Sequence, residues 1–542
     1  MDNLDDLLRR LEQLNEIGAA LSSERDIERL LEKILLAAKT ITHADGGTLY
    51  RMSDDGKSLR FEIMRTDSLG LAIGGTTAVP VPYPPLPLHD QRGEPNNSMV
   101  ACYCALNRVT INIADAYEAE GFDFTGTRRF DARTGYRSKS FLTVPMKNHE
   151  GEVIGVLQLI NCVQESTGQV VSFSAADQRL AESLASQAAI ALSNRYLIGQ
   201  LEELFESFVT LINIAIDEKS PYTGGHCQRV PALTMMLAEA VNETSSGPLA
   251  GFNMTEKDRY ELKIAGLLHD CGKVTTPVHV VDKATKLQTI YDCIGLVDTR
   301  FEVLKRDAEI AALKARLAPG QEGFEAAADL DRRLAERIRE LDADREFIRQ
   351  CNVGVEAMPE QDQERVRSIG RINRWRDEDG LERQFLSEQE IENLTIRSGT
   401  LTQGERDIIN YHIVATIKML DALPWPKHLR KVPEYAGGHH ERMDGRGYPR
   451  GLTREQMSVQ ARVMGIADIF EALTARDRPY KHGKTLSESL RILGRFMLNG
   501  HIDPDLFDVF VRRKVYLRYA ERFLDPEQID SVDEAAIPGY VP

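Results

Sequence analysis

Leu4, Leu7, Leu8, Leu11, Leu14 and Ile17 recur at spacings of three and four. Past Ser22-Ser23 the spacing resumes at Ile27, Leu30, Leu31, Ile34 and Leu35, so a broken helix is expected over residues 4–41. From Ala44 the period shortens. Residues 46–52 and 59–63, separated by Asp54-Asp55-Gly56, read as strand, turn, strand. Pro80, Pro82, Pro84, Pro85 and Pro87 make 79–98 a loop. Strands are expected at 110–113, 140–146 and 153–160, the last two joined by Asn148-His149-Glu150-Gly151, and a helix from about Ser174. Leu197, Leu201, Leu204, Phe208, Leu211 and Ala215 then step by four and three, a heptad seam. Two readings fit it: a two-helix coiled coil joining two copies of the chain, or one helix lying on its own domain.

Beyond Pro221 the pattern is helical, at 230–242, 259–269, 408–420 and 461–474. Residues 298–318 and 324–350 are charged helices around the turn Ala318-Pro319-Gly320-Gln321-Glu322-Gly323, which predicts an antiparallel helical hairpin. Residues 352–385 read as polar and irregular around Trp375, 486–524 as two helices, and 525–542 as a tail.

Composition narrows the function classes. The 542 residues suffice for several domains with ordinary cores. A net charge of -16 argues against nucleic acid or an anionic membrane surface as a partner and leaves a small anion in a locally basic pocket. No apolar run has the length of a membrane span, and the N-terminal residues lack the apolar stretch of a secretory signal. The seven cysteines are scattered, without a CxxC pair, and are expected as reduced thiols in a cytoplasmic protein.

The densest chemistry is Gly438-His439-His440-Glu441-Arg442-Met443-Asp444-Gly445-Arg446-Gly447-Tyr448-Pro449. Adjacent imidazoles followed by carboxylates are the ligand types of Zn, Fe, Mn or Co. His269-Asp270 ends an apolar helix, where burying both unpaired is costly and a metal ion would compensate. Lys273, three residues on, suits a phosphate oxygen or, in isolation, a helix C-terminus. Asp468, in the middle of an apolar helix, needs a partner. His412, beside Ile409 and Ile413, reads alone as a core histidine, and His226 as a helix-start residue.

Thr134-Gly135-Tyr136-Arg137-Ser138-Lys139-Ser140-Phe141-Leu142-Thr143-Val144-Pro145-Met146 with Gly155-Val156-Leu157-Gln158-Leu159-Ile160-Asn161 resembles a GAF domain over residues 24–195, closest to those of cyclic-nucleotide phosphodiesterases. Cyclic-nucleotide-binding GAF domains often carry an Asn-Lys, Phe, Asp-Glu signature. Asn161, Phe173 and Asp177 match it, while Cys162 and Gln178 replace the Lys and the Glu. A small ligand at this domain and a ligand-free dimerisation and relay role both remain open. Cys102 and Cys104 are readable as a metal or redox pair, or as inert thiols.

Taken together, the order His, His-Asp with Lys, His, His-His, Asp, the Gly447-Tyr448-Pro449 turn and Arg478-Pro479-Tyr480 resemble an HD-GYP domain of the HD phosphohydrolase superfamily, over roughly 205–285 and 396–515. The resemblance implies a metal-dependent phosphodiesterase hydrolysing cyclic di-GMP to linear pGpG, GMP or both. It implies that His226, His269, Asp270 and Asp468 hold one divalent metal and that Asp270 bridges to a second, held with His412, His439 and His440. Asp270 and Lys273 are its catalytic residues, and Lys273, Arg478 and Lys481 its substrate-phosphate residues. The resemblance further implies that the turn Gly447, Tyr448 and Pro449 orders the site and docks a signalling partner, of the GGDEF type or another. Members with a third metal carry Glu four residues before the first His. Tyr222 stands there, and Glu218 is out of register, so two metals are expected, with Fe or Mn favoured and Zn, Ni or Co as alternatives.

The expected architecture is an N-terminal α/β (α+β) GAF domain, a long coiled-coil linker helix and an all-α HD-type domain with a helical-hairpin insertion. Its boundaries are an N-terminal helix 1–23, the GAF sensor 24–195, the linker 196–217, HD-GYP parts 218–285 and 398–525 around an insertion 286–397, and the tail 526–542. The insertion is open to two readings, a lid over the site or a solvent-exposed addition. Two other functions compete with cyclic di-GMP hydrolysis: a catalytically weak receptor or scaffold, and a hydrolase of another cyclic dinucleotide.

Overall fold

The structure is a computed structural model and describes residues 14–21, 23–24, 26–219, 225–317, 324–377, 379–476 and 483–542. The expected helical residues Leu4 to Leu11, the Ser22 break, Tyr222, the hairpin turn 318–323, and Arg478 and Lys481 lie outside the described residues. The chain divides into two compact units, one ending at Phe205 and one beginning at Glu206.

The first unit is an antiparallel sheet flanked by helices. Helix α1 (Ile27–Thr42) starts at Asp26, whose carboxylate accepts from the Arg29 amide. Strands β1 (Ala44–Met52), β2 (Ser58–Thr66), β3 (Leu71–Gly74) and β4 (Leu86–Pro87) precede α2 (Val100–Asn107), β5 (Ile111–Ile113) and α3 (Thr125–Thr134). Then come β6 (Phe141–Lys147), β7 (Val153–Val163), β8 (Val170–Val171) and the long helix α4 (Ala175–Lys219). The sheet order is β3-β2-β1-β7-β6-β5, with β4 on β2 and β8 on β7. Leu142, Val144 and Met146 alternate along β6, and with Leu157 and Leu159 of β7 they pack on Leu30, Ile34 and Leu35 of α1 and Leu180, Leu184 and Ala188 of α4. The other face carries Tyr50 and Val156 against Ala101, Cys102 and Cys104 of α2. Both faces are covered, which is why β6 and β7 read as nearly continuous apolar runs.

The second unit is mostly helical. Helices α5 (His226–Asn242) and α6 (Glu256–Leu268) come first, α6 opened by a Thr255/Asp258 capping box. After the short α7 (Val278–Val281) the predicted hairpin is present as α8 (Ile294–Arg316) and α9 (Phe324–Asn352). Its pairs Asp298–Arg349, Glu302–Arg345 and Lys305–Asp342 run in opposite chain directions, the mark of an antiparallel pair. Residues 352–385 are more regular than expected, with α10 (Glu360–Ile372) and a two-stranded ribbon, β9 (Arg374–Arg376) and β10 (Glu382–Gln384). Helix α10 buries only Val366, Ile369 and Gly370, too narrow a stripe to stand out in a charged sequence. With α11 (Glu388–Leu394) these elements share a core of Phe301, Leu304, Leu341, Ile348 and Phe385.

Helices α12 (Gln403–Asp421), α13 (Val432–Gly437) and α14 (Val459–Thr474) return to α5 and α6. The C-terminal stretch forms three helices rather than two: α15 (Leu486–Leu498), α16 (Pro504–Arg512) and α17 (Val515–Phe523). The first of them stops at Asn499, and Asp503 and Pro504 start the next, the Asp503 carboxylate accepting from the amides of Asp505 and Leu506. Residues 526–542, expected as a tail, pack on the unit. Gln528 donates to the carbonyls of Thr474 and Lys484, and Ile537 and Tyr540 are buried. Among the described residues no helix is long and apolar enough to cross a membrane.

Candidate metal centre

Four helices of the second unit bring the singled-out histidines together. His226 opens α5, His269 ends α6, His412 lies within α12, and His439-His440 follow α13. His226, His269, His412 and His439 are all buried. Three of the rings are oriented by their own backbone. His269, His412 and His439 donate Nδ1–H to the carbonyls of Gly266, Ile409 and Ala436, at 2.7, 2.5 and 2.6 Å. A carbonyl cannot donate, so Nδ1 carries a proton in each ring and Nε2 is the atom turned to the cluster.

Those nitrogens converge. His269 Nε2 lies 3.3 Å from His226 Nε2, and His412 Nε2 lies 3.2 Å from His440 Nε2. Facing lone pairs repel unless a proton or a cation stands between them. Asp270 sits among them: Oδ2 is 3.0 Å from His226 Nε2 and 3.2 Å from His269 Nε2, and Oδ1 is 3.3 Å from His412 Nε2. Asp468 approaches more loosely, with Oδ1 3.4 Å from His226 Nε2 and Oδ2 3.9 Å from His440 Nδ1, the ring nitrogen other than the one facing His412. Three overlapping groups have ligand atoms within 4.8 Å of one another: His412, His439 and His440; His226, His269 and Asp468; His269, Asp270 and His439. Asp270 Oδ1 and His439 Nε2 are buried with no hydrogen bond among the described residues. Orphaned buried donor atoms of this kind fit a divalent cation, and the HD-type His/Asp set supplies the imidazole and carboxylate ligands such ions take.

The electrostatics match. Burial would raise the Asp270 carboxyl, but Lys273, with Nζ 2.5 Å from Oδ2, and His269 hold it well below the ordinary range. Asp270 in turn keeps Lys273 raised against its burial. Burial and then His269 push His439 down to about 4. Burial, with His439 and His412, lowers His440 further from its ordinary value. Both are therefore neutral, the form that binds metal.

Two residues that sequence reasoning missed support His226. Glu471 Oε2 accepts from His226 Nδ1 at 2.6 Å, and Arg229 Nε donates to Glu471 Oε1 at 2.7 Å. Burial would raise Glu471, but His226 and Arg229 bring it down to about 2. Burial would lower His226, but Glu471 carries it up to about 9. The signal was available: Glu471 is three residues beyond Asp468, on the same face of α14.

The carboxylates next to His439-His440 do not join the cluster. Glu441 accepts from the amides of Arg450 and Leu452 at 2.8 and 2.9 Å and closes the following loop, while Asp444 pairs with Arg442. The carboxylates near the imidazoles come from α14 and from the end of α6. Within that loop, Tyr448 stacks on His440 with ring centres 4.8 Å apart and planes 23° apart. A Cβ at Gly447 would come within 2.4 Å of the Glu441 Cα, so only glycine lets the turn fold back this closely. Beside the cluster opens a cavity of about 490 Å³, lined among others by His440, Tyr448, Asp468, Arg442, Arg446 and Lys484.

In the first unit a second cavity, of about 540 Å³, is walled by Tyr50, Phe61, Tyr83, Phe130 and Tyr136, with Arg129 and Arg133. The signature residues do not line it. Asn161 accepts from the amides of Lys139 and Ser140, Asp177 accepts from the Ser174 amide at the start of α4, and Phe173 lies in the core. Cys162 is buried, its thiol against the Thr42 carbonyl, and Gln178 accepts from Asn112. Cys102 and Cys104 are buried thiols raised by burial to about 11 and about 12, and no candidate metal group among the described residues includes them.

A GAF domain model matches residues 26–192, and two HD domain models match 223–361 and 355–506. The chain is 38% identical over 116 residues to a cyclic di-GMP phosphodiesterase of Pseudomonas aeruginosa, covering 21% of this chain and 27% of the relative. It is 46% identical over 81 residues to a 3'3'-cGAMP-specific phosphodiesterase of Vibrio cholerae, covering 15% and 19%. It is 33% identical over 122 residues to a cyclic di-GMP phosphodiesterase of Thermotoga maritima, covering 22% and 32%. The matched stretches thus span less than a third of each of these relatives. The chain thus carries a GAF domain over residues 26–192 followed by HD domain matches between 223 and 506, a stretch that includes the Gly447-Tyr448-Pro449 turn.

Proposed function

We propose that the chain is a metal-dependent phosphodiesterase that hydrolyses cyclic di-GMP to pGpG, GMP or both, under control of its GAF domain. The observation that carries this reading is Asp270, set between two facing pairs of imidazole nitrogens with one carboxylate oxygen toward each side. In it, His226, His269, Asp270 and Asp468 hold one divalent ion, and Asp270, His412, His439 and His440 hold the other. Such ions, when bound, lower the pKa of water and offset charge on a phosphodiester. The chain's own groups do the rest. Lys273 places a fixed positive charge beside Asp270, Tyr448 holds the His440 ring, and the adjoining cavity receives the substrate. Arg478 and Lys481 keep their implied role in phosphate binding.

The test is full-length protein purified without oxygen, its bound metal counted, and incubated with cyclic di-GMP while products are resolved by chromatography. Turnover at about two metals per chain supports the reading. Tight binding without turnover in Fe, Mn, Zn, Ni and Co forms alike overturns it in favour of a receptor. The cGAMP-specific relative favours a second reading, hydrolysis of a mixed cyclic dinucleotide. Measuring kcat/KM for both substrates side by side decides between them.

The linker fits a homodimer. Leu197, Leu201, Leu204, Phe208 and Leu211 are 49% to 64% exposed along one stripe of α4, and a second copy of the same stripe would cover them. Fully burying an exposed Leu is worth about 1.5–3 kcal/mol, and these half-covered side chains have about half of that left to gain. Leu204→Glu with Leu211→Glu is therefore expected to convert a dimer into a monomer at micromolar concentration. Sedimentation velocity reads this, and an unchanged dimer would move the interface elsewhere.

A further inference from the structure

The cavity beside the histidine cluster has a cation that neither the metal ligands nor the expected phosphate residues account for. Lys484 lines that cavity together with His440, Tyr448 and Asp468. Its ammonium lies 3.5 Å from the carboxylate of Glu356, which comes from the insertion between α9 and α10. Arg442, on the same wall, is taken up by Asp444 and the Asn499 carbonyl.

Both backbones are fixed. Lys484 donates its amide to the Leu473 carbonyl and accepts at its carbonyl from buried Gln528. On either side of Glu356, Val355 bridges Gly399 and the Met358 amide donates to the Arg397 carbonyl. The insertion's neck is tied down as well. Lys283 binds both carboxylate oxygens of Glu405 at 2.8 Å, and Lys286 donates to the carbonyls of Leu394 and Ile396. The backbone that carries Glu356 is thus fixed beside a cavity cation, within reach of its carboxylate. Glu356 is 78% exposed, so the pair adds little to stability. Its consequence is electrostatic: a phosphodiester entering the cavity carries the same charge as Glu356 and meets Lys484 already paired.

We propose that Lys484 is an anion-binding residue of this cavity and that Glu356 is its resting counter-ion, so the insertion competes with a substrate phosphate for the lysine. The inference rests on the cyclic dinucleotide reading above and makes the insertion a specificity element for anionic substrate. Lys484 binds and does not take part in bond breaking, so its loss acts on KM.

The experiment uses the full-length, metal-loaded protein with cyclic di-GMP and measures both turnover and the equilibrium Kd. Glu356→Gln is expected to lower KM and Kd about threefold with kcat held within about twofold. Lys484→Ala is expected to raise both about tenfold. In the double variant the gain from Glu356→Gln disappears, because the cation it released is gone. Binding that does not respond to Glu356→Gln overturns the proposal, as does a gain that persists without Lys484. Wild-type protein that neither binds nor hydrolyses cyclic di-GMP overturns the functional reading and this inference with it. Binding without turnover overturns only the enzymatic reading, and the Kd values still decide the role of Glu356.

Discussion

Asp270→Asn is expected to lower cyclic di-GMP turnover by about a thousandfold or more and to drop bound metal from about two ions per chain to one or fewer. The carboxylate touches both sides of the cluster, with Oδ2 between His226 and His269 and Oδ1 at His412, all within 3.3 Å. Asparagine keeps the shape but loses the charge and one oxygen. Whichever side receives the amide nitrogen meets a donor where a ligand is needed. Lys273 also loses the carboxylate 2.5 Å away, so the site becomes more positive before any ion arrives. Asp468 lies farther off, 3.4 Å from His226 Nε2 and 3.9 Å from His440 Nδ1, which predicts a weaker effect for Asp468→Asn. Metal counting beside product chromatography reads both variants, with circular dichroism to verify the fold. An Asp270→Asn protein that keeps its metal and its turnover would remove Asp270 from the centre and leave the histidines to be explained without it.

The centre was legible because its residues break local rules. A histidine or aspartate on an apolar helix face has no partner in its own segment, and His269, Asp270 and Asp468 stand out for that reason, whereas His412 alone reads as a core histidine and gains its meaning only from the others. Residues with an ordinary explanation were harder to read. Glu471 and Arg229 pass as solvated helix charges, yet they pair with each other and support His226. Glu441 and Asp444 pass as ligands because they adjoin two histidines, but loop closure and Arg442 take them. The long strands and helices followed from period alone. The short α2 and α3 did not, because eight and ten residues carry too few turns to show an apolar stripe. The packed C-terminal segment was hidden for a different reason: it is held by isolated contacts, Gln528 to Thr474 and the buried Ile537 and Tyr540, which leave no periodic trace. The insertion's core, built on Phe301, Leu341 and Phe385, draws on residues far apart in a charged sequence.

Glu471→Gln is expected to weaken metal binding on the His226 side about 10- to 100-fold, the usual cost of losing a carboxylate that orients a ligating histidine. The carboxylate fixes the His226 ring from behind through a 2.6 Å contact to Nδ1 and holds Arg229 through its other oxygen at 2.7 Å. Glutamine keeps one acceptor, and its amide group offers a second donor to one of two groups that both donate. Metal titration into apo-protein should show one ion bound weakly and one unchanged. Loss of both would mean that Glu471 supports the whole helix packing and not one ligand. Stability supplies an independent reading. The folded carboxyl is held at about 2, below its ordinary 4.5, which corresponds to about 3 kcal/mol. A depressed carboxyl contributes that stability above its unfolded pKa and loses it as pH falls through the folded value. The melting temperature of apo Glu471→Gln should therefore lie below wild type at pH 7, with the gap narrowing from about pH 4.5 and closing near pH 2. A gap that stays constant down to pH 2 would place the effect in packing and not in the ionised pair with His226 and Arg229.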